Sequence, residues 1–164
     1  MSRILKSFKC AIKGILYSIK NERNMRVHTV IAMYVIVFSL FFSLTPGRYC
    51  VLALTISAVI IAEMFNSAIE GLLDIISKKY NSTAGAIKDI AAGAVLVASG
   101  FAVIIGFTLF NNLNIYKYIW VFFCSHPVAL AALLVSILLN WFYVFWGPVE
   151  IKNKIINLIF KIKN

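Results

Sequence analysis

Charged residues are scarce in this chain, at 13% of its 164 residues, and only six of them are acidic. A soluble domain carries about 25% charged residues, whereas 62% of this chain is hydrophobic. The apolar residues form continuous runs of about 20, the length of a membrane-spanning helix, and not the alternating pattern of a β-barrel. The composition therefore excludes a soluble globular domain and predicts an all-α membrane protein.

Several motifs of soluble proteins are missing as well. The three cysteines, Cys10, Cys50 and Cys124, are scattered without CxxC spacing, which argues against a disulfide or zinc framework. The sequence contains no GxxxxGK[ST] motif and none of the signatures of soluble protein kinases. Any nucleotide site must therefore be built from acidic side chains, basic side chains and a metal.

Hydropathy predicts four membrane spans, at about residues 27–44, 49–77, 86–110 and 128–146. Before them, residues 2–20 place isoleucine and phenylalanine at helical spacing among lysines, which is typical of an amphipathic helix that lies in the membrane interface. We therefore expect residues 1–110 to form an interfacial helix with a three-span core. Residues 111–164 are expected to add a turn marked by Asn111, Asn112 and Asn114, an aromatic interfacial segment at residues 116–124, a C-terminal transmembrane helix that ends at Gly147-Pro148, and a basic tail.

The distribution of the 16 basic residues predicts the topology. Fourteen of them precede the first span, lie near the loop between the second and third spans, or follow the fourth, and only Arg48 and Lys117 lie elsewhere. Basic residues gather on the cytoplasmic side, so we expect a multi-pass protein of the inner or plasma membrane with a cytoplasmic N-terminus. Because these residues flank apolar spans, anionic lipid headgroups are expected partners and nucleic acid is not.

Three of the six acidic residues lie on the second span, together with an asparagine. Glu63, Asn66, Glu70 and Asp74 are three or four residues apart, which places them on one helical face. Glu63 is expected roughly 21 Å along the helix, within a hydrocarbon core about 30 Å thick. Such an acidic stripe could bind Mg²⁺ and supply a general base, conduct protons or cations, or serve packing alone.

Two further charged positions lie near the predicted cytoplasmic face. Lys88 and Asp89 open the third span, where the lysine could meet ATP phosphates or extend to the interface as a snorkelling side chain. Glu22 follows the amphipathic helix at the same face, where an isolated acidic residue is commonly just solvated. These positions alone leave a binding role and a surface role open.

Three segments resemble the prokaryotic diacylglycerol kinase and undecaprenol kinase family. Residues 63–74, EMFNSAIEGLLD, are similar to its ExxNTAIExxxD signature, with Ser67 in place of the usual threonine. Residues 86–95, AIKDIAAGAV, are similar to its AKDxAAGAV segment, and Lys13-Gly14 with NERNMRVH at residues 21–28 is similar to its KG and NERNxRxH stretch. These matches cover about residues 3–110 in the family's order.

The resemblance implies an ATP- and Mg²⁺-dependent kinase of a membrane lipid alcohol, assembled as a homotrimer with active sites shared between protomers. It implies that Glu63 is the general base, that Glu22 and Glu70 hold Mg²⁺ with the ATP phosphates, and that Asn66 and Asp74 support the site. The remaining implied contacts are Lys88, Asp89, Lys79, Tyr80 and Asn81 with ATP, and Arg3 with a phosphate or a lipid headgroup.

Two features refine what the resemblance implies. His28 in the N-terminal motif looks more like the undecaprenol kinases, so undecaprenol is the expected acceptor in preference to diacylglycerol. Cys10 stands where some relatives place an aromatic residue near the nucleotide. The alternative from another functional class is a non-enzymatic or ion-transporting helical bundle derived from the same fold.

Overall fold

The computed structural model describes residues 3–76 and 82–163, with side chains up to residue 148. Within these ranges the chain forms six α-helices and no strand, which confirms the predicted all-α class. The helices are α1 (Arg3–Asn21), α2 (Arg23–Ser39), α3 (Pro46–Ile76), α4 (Ser82–Leu109), α5 (Leu113–Ser125) and α6 (Pro127–Lys163), with a 3₁₀ turn at Leu40–Phe42.

Four segments of the described helices are long and apolar enough to cross a membrane, as predicted: Arg23–Phe42, Pro46–Ile76, Ser82–Leu109 and Pro127–Pro148. Their apolar side chains are largely exposed, for example Leu54 at 71% and Leu96 at 74%. Exposed apolar surface on this scale is costly in water and suits a hydrocarbon solvent. The chain is therefore a membrane protein.

The first span differs from its prediction at both ends. Its helix begins at Arg23, four residues before the expected start, so that only Glu22 separates α1 from α2. At the other end the α-helix stops at Ser39, where the Ser39 hydroxyl donates to the Ile36 carbonyl at 2.6 Å. A 3₁₀ turn follows, and Ser43 then adopts a left-handed conformation with φ of 44°. The span thus ends at Phe42, two residues before the predicted end.

The helix α5 was not predicted, because its segment was expected to be a turn followed by aromatic residues in the interface. The Asn112 side-chain carbonyl accepts a hydrogen bond from the Asn114 backbone N–H at 3.1 Å, which is the geometry of an N-cap. The ring of Tyr116 packs edge-on against Phe42, with centroids 5.4 Å apart. The aromatic segment is therefore a helix that adds to the protein core.

The chain falls into two compact units, one of which is Ile31–Phe122. In this unit α3 packs along α4. Its apolar core lies where the helices end, around Phe42, Leu44, Leu52 and Leu109. The Phe42 ring also meets Phe110 edge-on at 5.0 Å. This core fixes the register of α3 against α4, and α3 carries the acidic stripe.

The other unit contains the residues up to Val30 and those from Phe123 onward. In this unit α1 packs against α6. Most side chains of α1 are exposed, including the apolar Phe8 and Ile12 and the basic Lys6, Lys9 and Lys13, as expected of an interfacial helix. The α6 helix is interrupted at Gly147, where φ is 64° and ψ is 159°, and Pro148 follows. The break lies where the fourth span was predicted to end.

Candidate active site

The acidic stripe on α3 is buried at one end and exposed at the other. Glu63 is 2% exposed and Asn66 is 5% exposed, whereas Glu70 is half-buried and Asp74 is exposed. Glu63 lies roughly 26 Å from the start of α3, and Asp74 roughly 42 Å, at about 1.5 Å per residue. The deepest carboxylate is therefore withdrawn from the acyl chains, and the shallowest is open to solvent.

Asn66 and Glu70 are joined by a hydrogen bond along the stripe. The Asn66 side-chain Nδ2 donates to Glu70 Oε1 at 3.1 Å, which orients that carboxylate. The other atom of the amide, Asn66 Oδ1, is buried and has no hydrogen-bond partner among the described residues. A buried polar atom left unpaired costs about 1–3 kcal/mol, so such an atom marks a place where a water, an ion or a ligand is expected.

Asp74 and Lys88 form an ion pair between α3 and α4. The Lys88 Nζ lies 2.5 Å from Asp74 Oδ1, and both side chains are substantially exposed. The neighbouring Asp89 is also exposed, in the second turn of α4. The ion pair holds the lysine beside the solvent-exposed end of the stripe, where a water-soluble anion could approach it.

The oxygens of the stripe fit magnesium. The described part of the chain contains no group of three or more His, Cys, Asp or Glu side chains that could hold a metal by itself. Mg²⁺, however, usually keeps several waters and binds through one or two carboxylates and substrate phosphates. The Glu70 carboxylate and the unpaired Asn66 oxygen offer hard oxygen ligands of that kind.

The remaining predicted site residues lie elsewhere. Glu22 is half-buried between α1 and α2, in the unit that contains α1, and its backbone N–H donates to the Ser18 carbonyl at 2.8 Å. Arg3 is exposed at the first residue of α1. The predicted nucleotide contacts Lys79, Tyr80 and Asn81 lie outside the described residues.

Arg26 lies in the N-terminal motif, and the sequence predicts no role for it. Its side chain is 6% exposed. The guanidinium donates from Nε to the Val144 carbonyl at 3.2 Å and from Nη1 to the Lys20 carbonyl at 3.0 Å. The motif indicated the residue, but nothing local in the sequence indicates a partner 118 positions away.

Comparison with known proteins identifies the family. The sequence model of prokaryotic diacylglycerol kinases matches residues 9–110. The chain is 39% identical to a diacylglycerol kinase of Synechocystis sp., over 63% of this chain and 59% of that protein. It is 34% identical to the undecaprenol kinase of Bacillus subtilis, over 67% of this chain and 89% of that protein. It is 31% identical to the diacylglycerol kinase of Escherichia coli, over 63% of this chain and 84% of that protein.

The matched region contains Glu22, the whole acidic stripe, Lys88 and Asp89, and it ends before α5. Helices α5 and α6 therefore lie outside the part that the family model describes. The relatives named above are all kinases of lipid alcohols by name. The predicted lipid-kinase class is thereby confirmed, and the chain belongs to the prokaryotic diacylglycerol kinase family.

Proposed function

We propose that this chain transfers the γ-phosphate of ATP to the hydroxyl group of a membrane lipid, with undecaprenol preferred to diacylglycerol. The observation that carries the proposal is the graded burial of the stripe, from Glu63 inside the protein to the exposed pair of Asp74 and Lys88. This gradient offers a carboxylate at a depth that a lipid hydroxyl reaches. It offers charged groups at a depth that a soluble nucleotide reaches.

In the proposed reaction Glu63 accepts the proton of the lipid hydroxyl. The hydroxyl oxygen forms a bond to the γ-phosphorus of ATP, the bond from that phosphorus to the bridging oxygen breaks, and ADP leaves. Phosphoryl transfer depends mainly on positioning and on neutralising phosphate charge. The Lys88 ammonium would supply part of that charge, exchanging its contact with Asp74 for a phosphate oxygen.

Glu22 and Glu70 are proposed to hold Mg²⁺ with the ATP phosphates, and the bound ion would neutralise phosphate charge. Asn66 keeps the Glu70 carboxylate oriented through its 3.1 Å hydrogen bond. Asp74 keeps Lys88 near the site before the nucleotide binds. The further proposed contacts are Asp89, Lys79, Tyr80 and Asn81 with ATP, and Arg3 with a phosphate or a lipid headgroup.

The preference for undecaprenol is supported by the N-terminal motif with His28 and by a match over 89% of the undecaprenol kinase of Bacillus subtilis. The diacylglycerol kinase of Synechocystis sp. is more similar in percentage identity, at 39%, but this chain spans 59% of that protein. Both lipids therefore belong in the test.

We also propose a homotrimer in the bacterial inner or plasma membrane, with the active site on the cytoplasmic side. The exposed apolar faces of α3 and α4 offer surface for contacts between protomers as well as for lipid. The basic residues of α1, such as Lys6 and Lys13, are exposed and suit contact with anionic headgroups. Mass measurement of the protein in lipid nanodiscs tests the trimer.

The experiment that tests the activity uses the purified full chain in lipid vesicles with γ-labelled ATP, Mg²⁺ and both lipid alcohols in one reaction. We expect phosphate on undecaprenol at a higher kcat/KM than on diacylglycerol. Transfer to diacylglycerol alone would contradict the preference. Transfer to neither lipid would contradict the proposal and would favour the ion-transporting alternative.

A further inference from the structure

The junction between α1 and α2 is closed by the side chain of Arg26. The Nη1 atom of Arg26 donates to the Lys20 carbonyl at 3.0 Å, and the backbone N–H of Arg26 donates to the Glu22 carbonyl at 3.3 Å. Lys20 is in the last turn of α1, whose carbonyls lack partners within the helix. The guanidinium therefore caps α1, and the side chain and the backbone of Arg26 together hold the segment that carries Glu22.

The same guanidinium caps the membrane-spanning part of α6. The Val144 carbonyl would bond to the N–H four residues later, but that residue is Pro148, which has none. Arg26 Nε supplies the missing donor at 3.2 Å. A cation at a helix C-terminus is also favoured by the helix dipole. The end of the fourth span is therefore complementary to Arg26 in hydrogen bonding and in charge.

Gly147 makes room for this contact. A Cβ atom at Gly147 would lie 3.1 Å from both the guanidinium carbon and Nη1 of Arg26. Its φ of 64° with ψ of 159° belongs to a region that only glycine adopts readily. Nearby, the Arg23 guanidinium lies 5.3 Å from the centre of the Phe145 ring, a second contact with the same turn of α6.

We infer that the C-terminal end of the fourth span positions Glu22 for the magnesium nucleotide, and that Arg26 is the positioning residue that couples them. The inference rests on the proposed function, because Glu22 matters to catalysis only if it holds Mg²⁺ with ATP. The inference gives a positioning role to Val144, Gly147 and Pro148, which all follow residue 110 and therefore lie outside the family match.

The first test variant is Gly147→Ala, which changes no charge and inserts one methyl group beside the guanidinium. We expect the KM for MgATP to rise about tenfold or more, as for other residues that orient a metal ligand. The KM for the lipid should stay unchanged. The control is Gly47→Ala, because Gly47 is exposed and its Cβ would meet nothing within 4 Å. The control should match the wild type.

The second variant is Arg26→Lys, which keeps the charge without straining the backbone. An ammonium cannot reproduce the two diverging N–H groups that meet Val144 and Lys20. If Arg26 acts through these bonds, Arg26→Lys raises the KM for MgATP as Gly147→Ala does. If Arg26 instead supplies only charge to a phosphate, Arg26→Lys keeps most of the wild-type affinity, and the inference is overturned. Should Gly147→Ala fail to fold, Arg26→Lys decides alone.

Hydrogen exchange separates this inference from the proposed function. Amides of residues 18–26 should exchange faster in both variants than in the wild type or in Gly47→Ala, because the Arg26 cap holds that segment. Unchanged exchange with unchanged kinetics would overturn the inference while leaving the kinase activity intact. A wild-type protein without lipid phosphorylation would instead contradict the proposed function, and the exchange rates would still report whether the cap exists.

Discussion

At the scale of single residues, burial distinguishes the carboxylates of the stripe. A charge at the centre of a bilayer costs roughly 2.5–3.5 kcal/mol on insertion scales. Glu63 avoids that exposure to lipid by facing into the protein, which is typical of functional ionisable residues in membranes. Spacing alone predicted one polar face on this helix, but the gradient along it depends on the neighbouring helices.

Glu63→Gln tests the proposed general base with almost no change in shape. We expect kcat to fall by about 10²–10⁴, the usual contribution of general base catalysis, while the protein remains folded by circular dichroism. The control is Thr55→Val, which removes an exposed hydroxyl bonded within the same helix to the Val51 carbonyl. A Glu63→Gln protein with the wild-type rate would show that another group takes the proton.

Asn66→Ala tests the residue that orients Glu70. Loss of the 3.1 Å hydrogen bond frees the Glu70 carboxylate, so kcat/KM for MgATP should fall about ten- to a hundredfold, as for other supporting residues of metal sites. The measurement is the initial rate as a function of Mg²⁺ concentration at saturating lipid. Thr108→Val, which removes another exposed hydroxyl, is the control. If Asn66→Ala is activated by Mg²⁺ as the wild type is, Asn66 does not support the metal site.

The roles predicted for individual site residues rest on the family resemblance more than on the spacing and chemistry of the residues. Periodicity placed Glu63, Asn66, Glu70 and Asp74 on one face, and the structure shows two of them joined by a hydrogen bond. The sequence could not distinguish a lysine for ATP from a snorkelling lysine at Lys88. Its ion pair with Asp74 depends on how α3 and α4 are aligned, which local spacing does not determine.

At the scale of helices, the α3–α4 pair brings the charged residues together. The bond between Lys88 and Asp74 joins residues 14 positions apart. An exposed ion pair of this kind contributes little to stability. Its role is therefore better sought in nucleotide binding than in folding.

Lys88→Met and Asp74→Asn separate those two roles. We expect Lys88→Met to raise the KM for ATP roughly tenfold or more, the effect of losing one hydrogen bond between charged groups. Asp74→Asn should leave the thermal unfolding midpoint unchanged, because both side chains are substantially exposed. The measurements are ATP saturation curves and thermal unfolding in the same lipid. A large drop in midpoint for Asp74→Asn would show that the pair is structural.

Helix boundaries could be predicted only where the sequence has strong local signals. The Gly147-Pro148 pair predicted the end of the fourth span, and the helix does break there. The α5 helix escaped prediction because its aromatic residues suggested an interfacial belt, and its Asn112 cap is recognisable only from the hydrogen bond that it makes. The 3₁₀ turn after Ser39 has no comparable sequence signal.

At the scale of the whole molecule, the basic residues predict which ends of the helices face the cytoplasm. The start of α3, which contains Arg48, is then expected outside, and α1 is expected inside. This topology can be tested with Arg48→Cys in a variant that lacks Cys50 and Cys124, since Arg48 and Cys10 are both exposed. We expect a membrane-impermeant maleimide to label the new cysteine in intact spheroplasts, and Cys10 only after permeabilisation. Labelling of Cys10 in intact spheroplasts, with labelling of the new cysteine only after permeabilisation, would contradict this topology.

Contacts between distant parts of the chain were beyond sequence reasoning. Arg26 meets Val144 only because α6 returns to α1, and a single sequence carries no signal for that return. Membrane composition and charge, in contrast, are properties of whole segments, which is why the four spans could be predicted from hydropathy.

The central claim is that the stripe on α3 and Glu22 act on the same metal-bound nucleotide, within one protomer or between protomers. The most direct measurement is the Mg²⁺ dependence of lipid phosphorylation in Glu22→Gln, Glu70→Gln and the double variant. If both carboxylates hold one ion, the second substitution costs much less in the background of the first than in the wild type. Fully additive losses of free energy, or wild-type activation by Mg²⁺ in either single variant, would contradict the account.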